Sequence, residues 1–159
     1  MSRLATLATP TSAPSGFIDA RGPRFGAVIT TVVLALVLLT IPSTLSLLLL
    51  TLQAVAFGLG AVVGLHAQPY GYLFRTVVRP RLAPPSQFEA PEPPRFSQLV
   101  GLIFALVGLI GLVTGLTALA YLAVGFALAA AFLNAAFDFC LGCEMYLIGK
   151  RLLSARTPA

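Results

Sequence analysis

Four apolar stretches, each close to or beyond the length of a bilayer crossing, occupy most of this chain of 159 residues. They run over about 24–41, 45–65, 97–114 and 117–148. A helix needs about 20 apolar residues, within a range of about 17–25, to cross the hydrocarbon layer. Lipid offers no water to the backbone, so each crossing segment must satisfy its own amides, and the helix does this within one segment. Pro42-Ser43-Thr44 separates the first two stretches, and a turn after Thr114 separates the last two. The predicted fold is therefore all-α: an integral membrane four-helix bundle made of two helical hairpins. The first stretch is short and recruits Arg24-Phe25 at its interface. The fourth is longer than a bilayer requires, so its far end is expected to protrude or to lie along the interface.

The remainder of the composition agrees. Hydrophobic residues make up 58% and charged residues 9%, against about 25% charged in a soluble domain. Ten Lys and Arg oppose five Asp and Glu. That surplus does not mark a nucleic-acid binder, because the basic residues sit at the ends of the apolar runs. Residues 1–18 are rich in Ala, Ser, Thr and Pro, carry no signal-peptide apolar region and are expected to form a disordered tail. Residues 19–153 form the expected transmembrane domain, with a polar loop over 66–95 that holds seven prolines, and 154–159 form a short tail.

Arg3, Arg21 and Arg24 precede the first hairpin. Arg75, Arg79, Arg81 and Arg95 occupy the middle loop, and Lys150, Arg151 and Arg156 follow the last stretch. The turns near Pro42 and Thr114 carry no charge. All basic residues thus fall on one side, which the positive-inside rule makes cytoplasmic. Both termini, the middle loop and the cysteine end are expected there. Arg24, Arg75, Arg79, Arg81, Arg95, Lys150 and Arg151 are expected at the lipid interface, against anionic headgroups. The strip from Phe74 to Leu82 alternates bulky apolar and basic residues and suits the same surface, with docking of an acidic soluble partner as the alternative.

Short motifs recur at an offset of 71 residues, read either as duplication of a two-helix unit or as coincidence between apolar stretches. Pro23-Arg24-Phe25 recurs as Pro94-Arg95-Phe96, Gly71 falls on Gly142, Arg79 on Lys150 and Leu82 on Leu153. Two helices return the chain to its starting side, so a duplicated hairpin would give parallel repeats about an axis along the membrane normal. In this register Gln68-Pro69-Tyr70-Gly71-Tyr72 stands opposite Phe139-Cys140-Leu141-Gly142-Cys143. Gly60 with Gly64, Gly111 with Gly115, and Ala127, Ala130, Ala131 and Ala135 offer small faces for close helix packing. Those faces serve either self-association into a homo-oligomer or contacts within one chain.

Cys140 and Cys143 are the only cysteines. Their spacing suits a redox dithiol, a sulfur relay or a shared soft metal, and inert packing is the alternative. On an unbroken helix Cys140, Cys143 and Glu144 share one face. Facing the cytosol, the pair is expected to rest reduced. Glu144 adds a like charge beside the thiols, Asp138 is a candidate proton acceptor or helix-end residue, and His66 is a candidate partner of either. No metal is predicted; the alternative is a zinc ion on Cys140, Cys143 and His66. Neither a phosphate-binding Gly-Lys-Ser loop nor a Gly-x-Ser-x-Gly elbow is present, and Gln53, Asn134 and Asp138 are too few for a proton path.

Asp19–Phe25, Pro69–Arg75, Arg79–Leu82, Phe132–Phe137 and Phe139–Tyr146 together resemble an uncharacterised bacterial family of small membrane proteins, domain-of-unknown-function family forty-three ninety-five. The resemblance runs over about Asp19 to Leu153 and implies a four-helix protein of the bacterial inner membrane, with association to thioredoxin-like and sulfurtransferase-like proteins. Three functions follow as expectations. The first is a membrane-anchored dithiol exchanging electrons or sulfur with a thioredoxin-like or rhodanese-like partner. The second is a quinone-coupled thiol oxidoreductase, which needs a quinone cleft beside the cysteines. The third is a non-enzymatic scaffold or assembly protein.

Overall fold

The structure is a computed structural model that describes residues 16–85 and 87–155. Arg3 and Arg156, with most of the two expected tails, lie outside the described residues. Helix α1 spans Arg21–Thr40, and α2 spans Thr44–Gly58 before continuing as a π-helical turn over Leu59–Val63. The short α3, Pro69–Leu73, runs on through a π turn, Phe74–Val78, and a 3-10 turn, Arg79–Arg81. Helix α4 covers Glu92–Val113, α5 covers Thr117–Phe137, and α6 covers Leu141–Ala155. The segments 21–40, 44–63, 92–113 and 117–137 are each long and apolar enough to cross a membrane.

Local chemistry starts the helices. Ser43 caps α2 by accepting the Ser46 amide at 3.3 Å, while the Ser46 hydroxyl returns a 2.7 Å bond to Ser43 O. Pro93 and Pro94 stand in the first turn of α4, where their missing amides and fixed φ cost nothing. Gly115 turns the chain into α5 at φ 75°, a left-handed value that suits glycine.

Leu34, Val37, Leu50, Phe57, Ala105, Ala120 and Val124 form the buried centre. Leu39, Leu52, Val62, Val113 and Phe126 are more than half exposed, as residues facing lipid are. Glycines set the helix separations inside. A Cβ on Gly101 would meet the Phe57 ring at 2.9 Å, and one on Gly111 would meet the Ala120 amide nitrogen at 2.7 Å. Gly108 sits between Val124 and Leu50, and Gly60 against Gln98. The small faces of α2 and α4 are thus used within the chain.

The elements repeat in order: α1, α2, α3 and then α4, α5, α6. Helix α1 packs most extensively on α5, and α4 packs on α5 and on α2 with its π turn. The repeated Pro-Arg-Phe motifs carry matching contacts across the two units. Arg24 Nε donates to Ala135 O at 3.2 Å, at the end of α5. Arg95 donates to Ala61 O and Val62 O at 3.1 and 3.2 Å, at the end of the α2 π turn. Phe25 meets Phe74 with ring centres 5.7 Å apart, and Phe96 meets Tyr146 at 5.8 Å. Each arginine covers carbonyls that a helix end leaves without an intrahelical donor, and its charge suits the negative end of that helix. Arg24 and Arg95 stay exposed while donating to these carbonyls.

Two boundaries differ from expectation. The fourth apolar stretch does not form one helix over 117–148. Asp138 takes a left-handed conformation at φ 58° and ends α5, and a separate helix begins at Leu141. The expected third helix starts earlier, at Glu92. The 66–95 loop is tied to the start of the first unit. Ile18–Asp19 pairs antiparallel with Phe88–Glu89, and the Arg21 guanidinium bonds Ala83 O.

Replacing Arg95 with Ala should lower stability by about 1–3 kcal/mol, the scale of charge-assisted hydrogen bonds. Thermal unfolding in detergent reads this, with exposed Lys150→Ala as the comparison. Equal melting of the two variants would contradict the capping role.

Candidate functional site

The break at Asp138 changes the setting of the cysteines. The Asp138 amide donates to Asn134 O at 3.1 Å, the Phe139 amide to Leu133 O at 3.3 Å, and the chain then turns into α6. Cys140 precedes the first residue of α6, and its carbonyl accepts the Glu144 amide at 3.0 Å. Its sulfur accepts the Cys143 amide at 3.3 Å. Cys140 therefore occupies the N-cap, where a serine or aspartate oxygen usually accepts an orphan amide. The expected picture of both cysteines on one face of an unbroken helix is replaced by a cap and the third residue after it.

Cys140 and Cys143 are disulfide-bonded, with Cα atoms 5.2 Å apart, within the usual span of about 4.4–6.8 Å. One helical turn brings the two sulfurs within bonding reach, so the pair can open and close without moving α6. Both cysteines are half-buried, while Glu144 and Asp138 are exposed.

Helix α4 forms the floor beneath the pair. A Cβ on Gly142 would lie 2.7 Å from Ser97 Cα and 2.8 Å from Ser97 Oγ. Only a hydrogen at this position lets α6 approach so closely. The Ser97 hydroxyl also lies 3.4 Å from Cys140 Sγ. Behind the pair a cavity of about 260 Å³ opens between α1, α4, α5 and α6, and Cys140, Ser97, Gln98 and Asn134 stand on its wall.

This geometry sits inside a recognisable family. The sequence model of a domain of unknown function, DUF4395, matches residues 18–151. The chain belongs to that family. No curated protein and no solved structure matches the chain. The match covers both units and ends inside α6, so the cysteine turn lies within the family domain.

His66 is not brought to the cysteines. It is exposed, follows the π turn of α2, and folds its ring back over Gly64, whose added Cβ would meet Nδ1 at 3.0 Å. Among the described residues no three His, Cys, Asp or Glu side chains converge to hold a metal ion, so Cys140, Cys143 and His66 do not form the alternative zinc site. Asp138, read from the sequence as a proton acceptor or a helix-end residue, is an exposed residue at the end of α5. Arg75, Arg81, Lys150 and Arg151 are exposed, and Arg75 donates to His66 O at 2.7 Å. Arg79 is half-buried. Gln53 is fully buried, takes the Tyr70 hydroxyl at 2.7 Å and donates to Thr30 at 3.2 Å, tying α1, α2 and α3 together.

Two residues escaped the sequence. Ser97 has no motif around it beyond the repeated Pro-Arg-Phe one turn earlier. Glu89 is the second, in the two-residue strand pairing with Ile18. Its Oε1 is buried without a hydrogen-bond partner among the described residues. Burial pushes the Glu89 carboxyl up to about 7, and the carboxylates of Asp138 and Asp19 add to that. Burial also pushes Asp19 upward, but the hydrogen bonds and charge of Arg21 outweigh it and leave Asp19 below its ordinary value.

Two measurements follow. Gly142→Ala should push α6 from α4 and cost about 1–3 kcal/mol, and it should alter the reduction of the Cys140–Cys143 bond by a dithiol. An unchanged melting point and reduction rate would contradict the close packing. For Glu89, the unfolded chain loses its proton near 4.5 while the folded one keeps it to about 7. The folded state binds more protons in that window, so stability falls as pH rises from about 4.5 to 7. Glu89→Gln should flatten this slope and melt higher than the native chain above pH 7. A native melting point that is level across the window would contradict the assignment.

Proposed function

We propose that the protein is a membrane-anchored dithiol that exchanges electrons or sulfur with a soluble thioredoxin-like or rhodanese-like partner. The observation that carries this reading is Cys140 at the N-cap of α6, bonded to Cys143 one turn on. A helix N-terminus favours negative charge, so it supports the thiolate that thiol–disulfide exchange requires. Reduction of the pair leaves Cys140 as the attacking sulfur, and Cys143 resolves the mixed disulfide. A partner dithiol opens the closed pair and leaves as a disulfide while Cys140 and Cys143 become two thiols; the reverse exchange closes the pair on an incoming disulfide, which leaves as two thiols. In the sulfur-transfer form, the Cys140 thiolate takes a sulfane sulfur from the partner's persulfide and holds it as its own persulfide.

The turns near Pro42 and Thr114 carry no basic residue, whereas Arg24, Arg95 and Lys150 lie at the cysteine end of the bundle. The positive-inside rule therefore supports a multi-pass protein of the bacterial cytoplasmic membrane with the pair facing the cytoplasm. Arg75, Arg79, Arg81, Lys150 and Arg151 suit anionic headgroups on that side.

Cys143→Ser should trap a mixed disulfide or persulfide-linked partner through Cys140 in cells, seen as a thiol-sensitive band shift. Cys140→Ser should trap several-fold less, because the remaining sulfur is not the cap. Absence of any adduct with both variants would overturn the exchange reading.

A further inference from the structure

The two units differ in the side chains and the space around the matching turn. In the first unit Tyr70 stands over Gly26 and reaches Gln53 with its hydroxyl. The position 71 residues later is Leu141, which is exposed and cannot span the same gap. The first unit keeps a cavity of about 150 Å³ beside Gln68 and Gly71, whereas the second holds about 260 Å³ against Cys140.

The walls are mostly apolar, with Phe57, Phe104, Ala127 and Ala130 among them. Polar groups stand where the cavity meets the sulfur. Asn134 carries an amide that makes no hydrogen bond to the protein among the described residues, and Ser97 lies 3.4 Å from Cys140 Sγ. Pockets for whole drug-sized ligands run to about 300–1,000 Å³, so this space suits one ring-shaped headgroup whose tail runs into the bilayer. Amide and hydroxyl donors beside an apolar ring site match carbonyl oxygens on a planar ring.

The geometry points to a lipid-soluble quinone as the ligand of this cavity and as the electron acceptor of the reduced Cys140–Cys143 pair. This deepens the dithiol reading and rests on it. The reduced pair gives two electrons and two protons. The sulfur–sulfur bond forms, two S–H bonds break, and both quinone oxygens become hydroxyls. The soluble partner supplies the reducing equivalents, and the membrane pool removes them.

The test uses the purified full chain in detergent, reduced and freed of reductant under anaerobic conditions. A decyl-tailed benzoquinone is added, and its loss of absorbance is followed beside thiol content. The native chain should convert one quinone to quinol per pair oxidised. Ala130→Phe fills the cavity and should slow this at least about tenfold while exchange with a soluble disulfide continues at the native rate. Leu141→Tyr introduces the side chain that the first unit already accommodates at Tyr70, and it should act in the same direction if Ala130→Phe fails to fold. Thiol exchange without quinone reduction would overturn the quinone assignment and leave the dithiol reading standing. Equal quinone reduction by the native chain and both filled variants would also overturn it. Failure of both reactions would remove the dithiol reading and the quinone with it.

Discussion

A helix that stops at the edge of a bilayer leaves carbonyls that neither the helix nor the hydrocarbon can satisfy. The arrangement of this protein depends on how those carbonyls are answered. Arg24 answers them at the end of α5, and Arg95 at the end of the α2 π turn. Each arginine belongs to the opposite unit from the helix it caps, so the two units are fixed in register by the same pair of interactions. That register sets α6 across the start of α4, where Gly142 rests on Ser97 and the cysteines meet the cavity.

The spans, the two hairpins and the Pro-Arg-Phe repeat were legible because each is written in strong, repeated signals. Apolar runs of bilayer length leave few alternatives, and a proline at Pro42 marks a turn plainly. The break at Asp138 was hidden because apolar residues continue past it and the left-handed position holds an aspartate where glycine would have announced an end. The strand pair of Ile18–Asp19 with Phe88–Glu89 is too short to show a period. Ser97 and Glu89 acquire their roles only from what the fold places beside them. His66 was drawn toward the cysteines by the register of the repeat, yet it turns back over Gly64 in its own unit.

The two units share a scaffold and differ in what fills it. Both have a glycine at the matching turn position. A Cβ on Gly71 would meet Leu65 O, and one on Gly142 would meet Ser97, both at 2.7 Å. Around the first glycine, Tyr70 bonds Gln53 and Gln68 bonds Gln98, beside a cavity of about 150 Å³. Around the second stand two sulfurs and an open space. The two turns thus share a close glycine contact and differ in the side chains set around it.

Crossed capping also orders the birth of the molecule. During synthesis the first hairpin leaves the ribosome with the carbonyls of Ala61 and Val62 waiting for an arginine 33–34 residues downstream. Arg24 waits longer, for a carbonyl 111 residues away. The Arg24 contact therefore exists only once α5 is complete, so the last crossing segment supplies the final partner of an arginine made near the beginning.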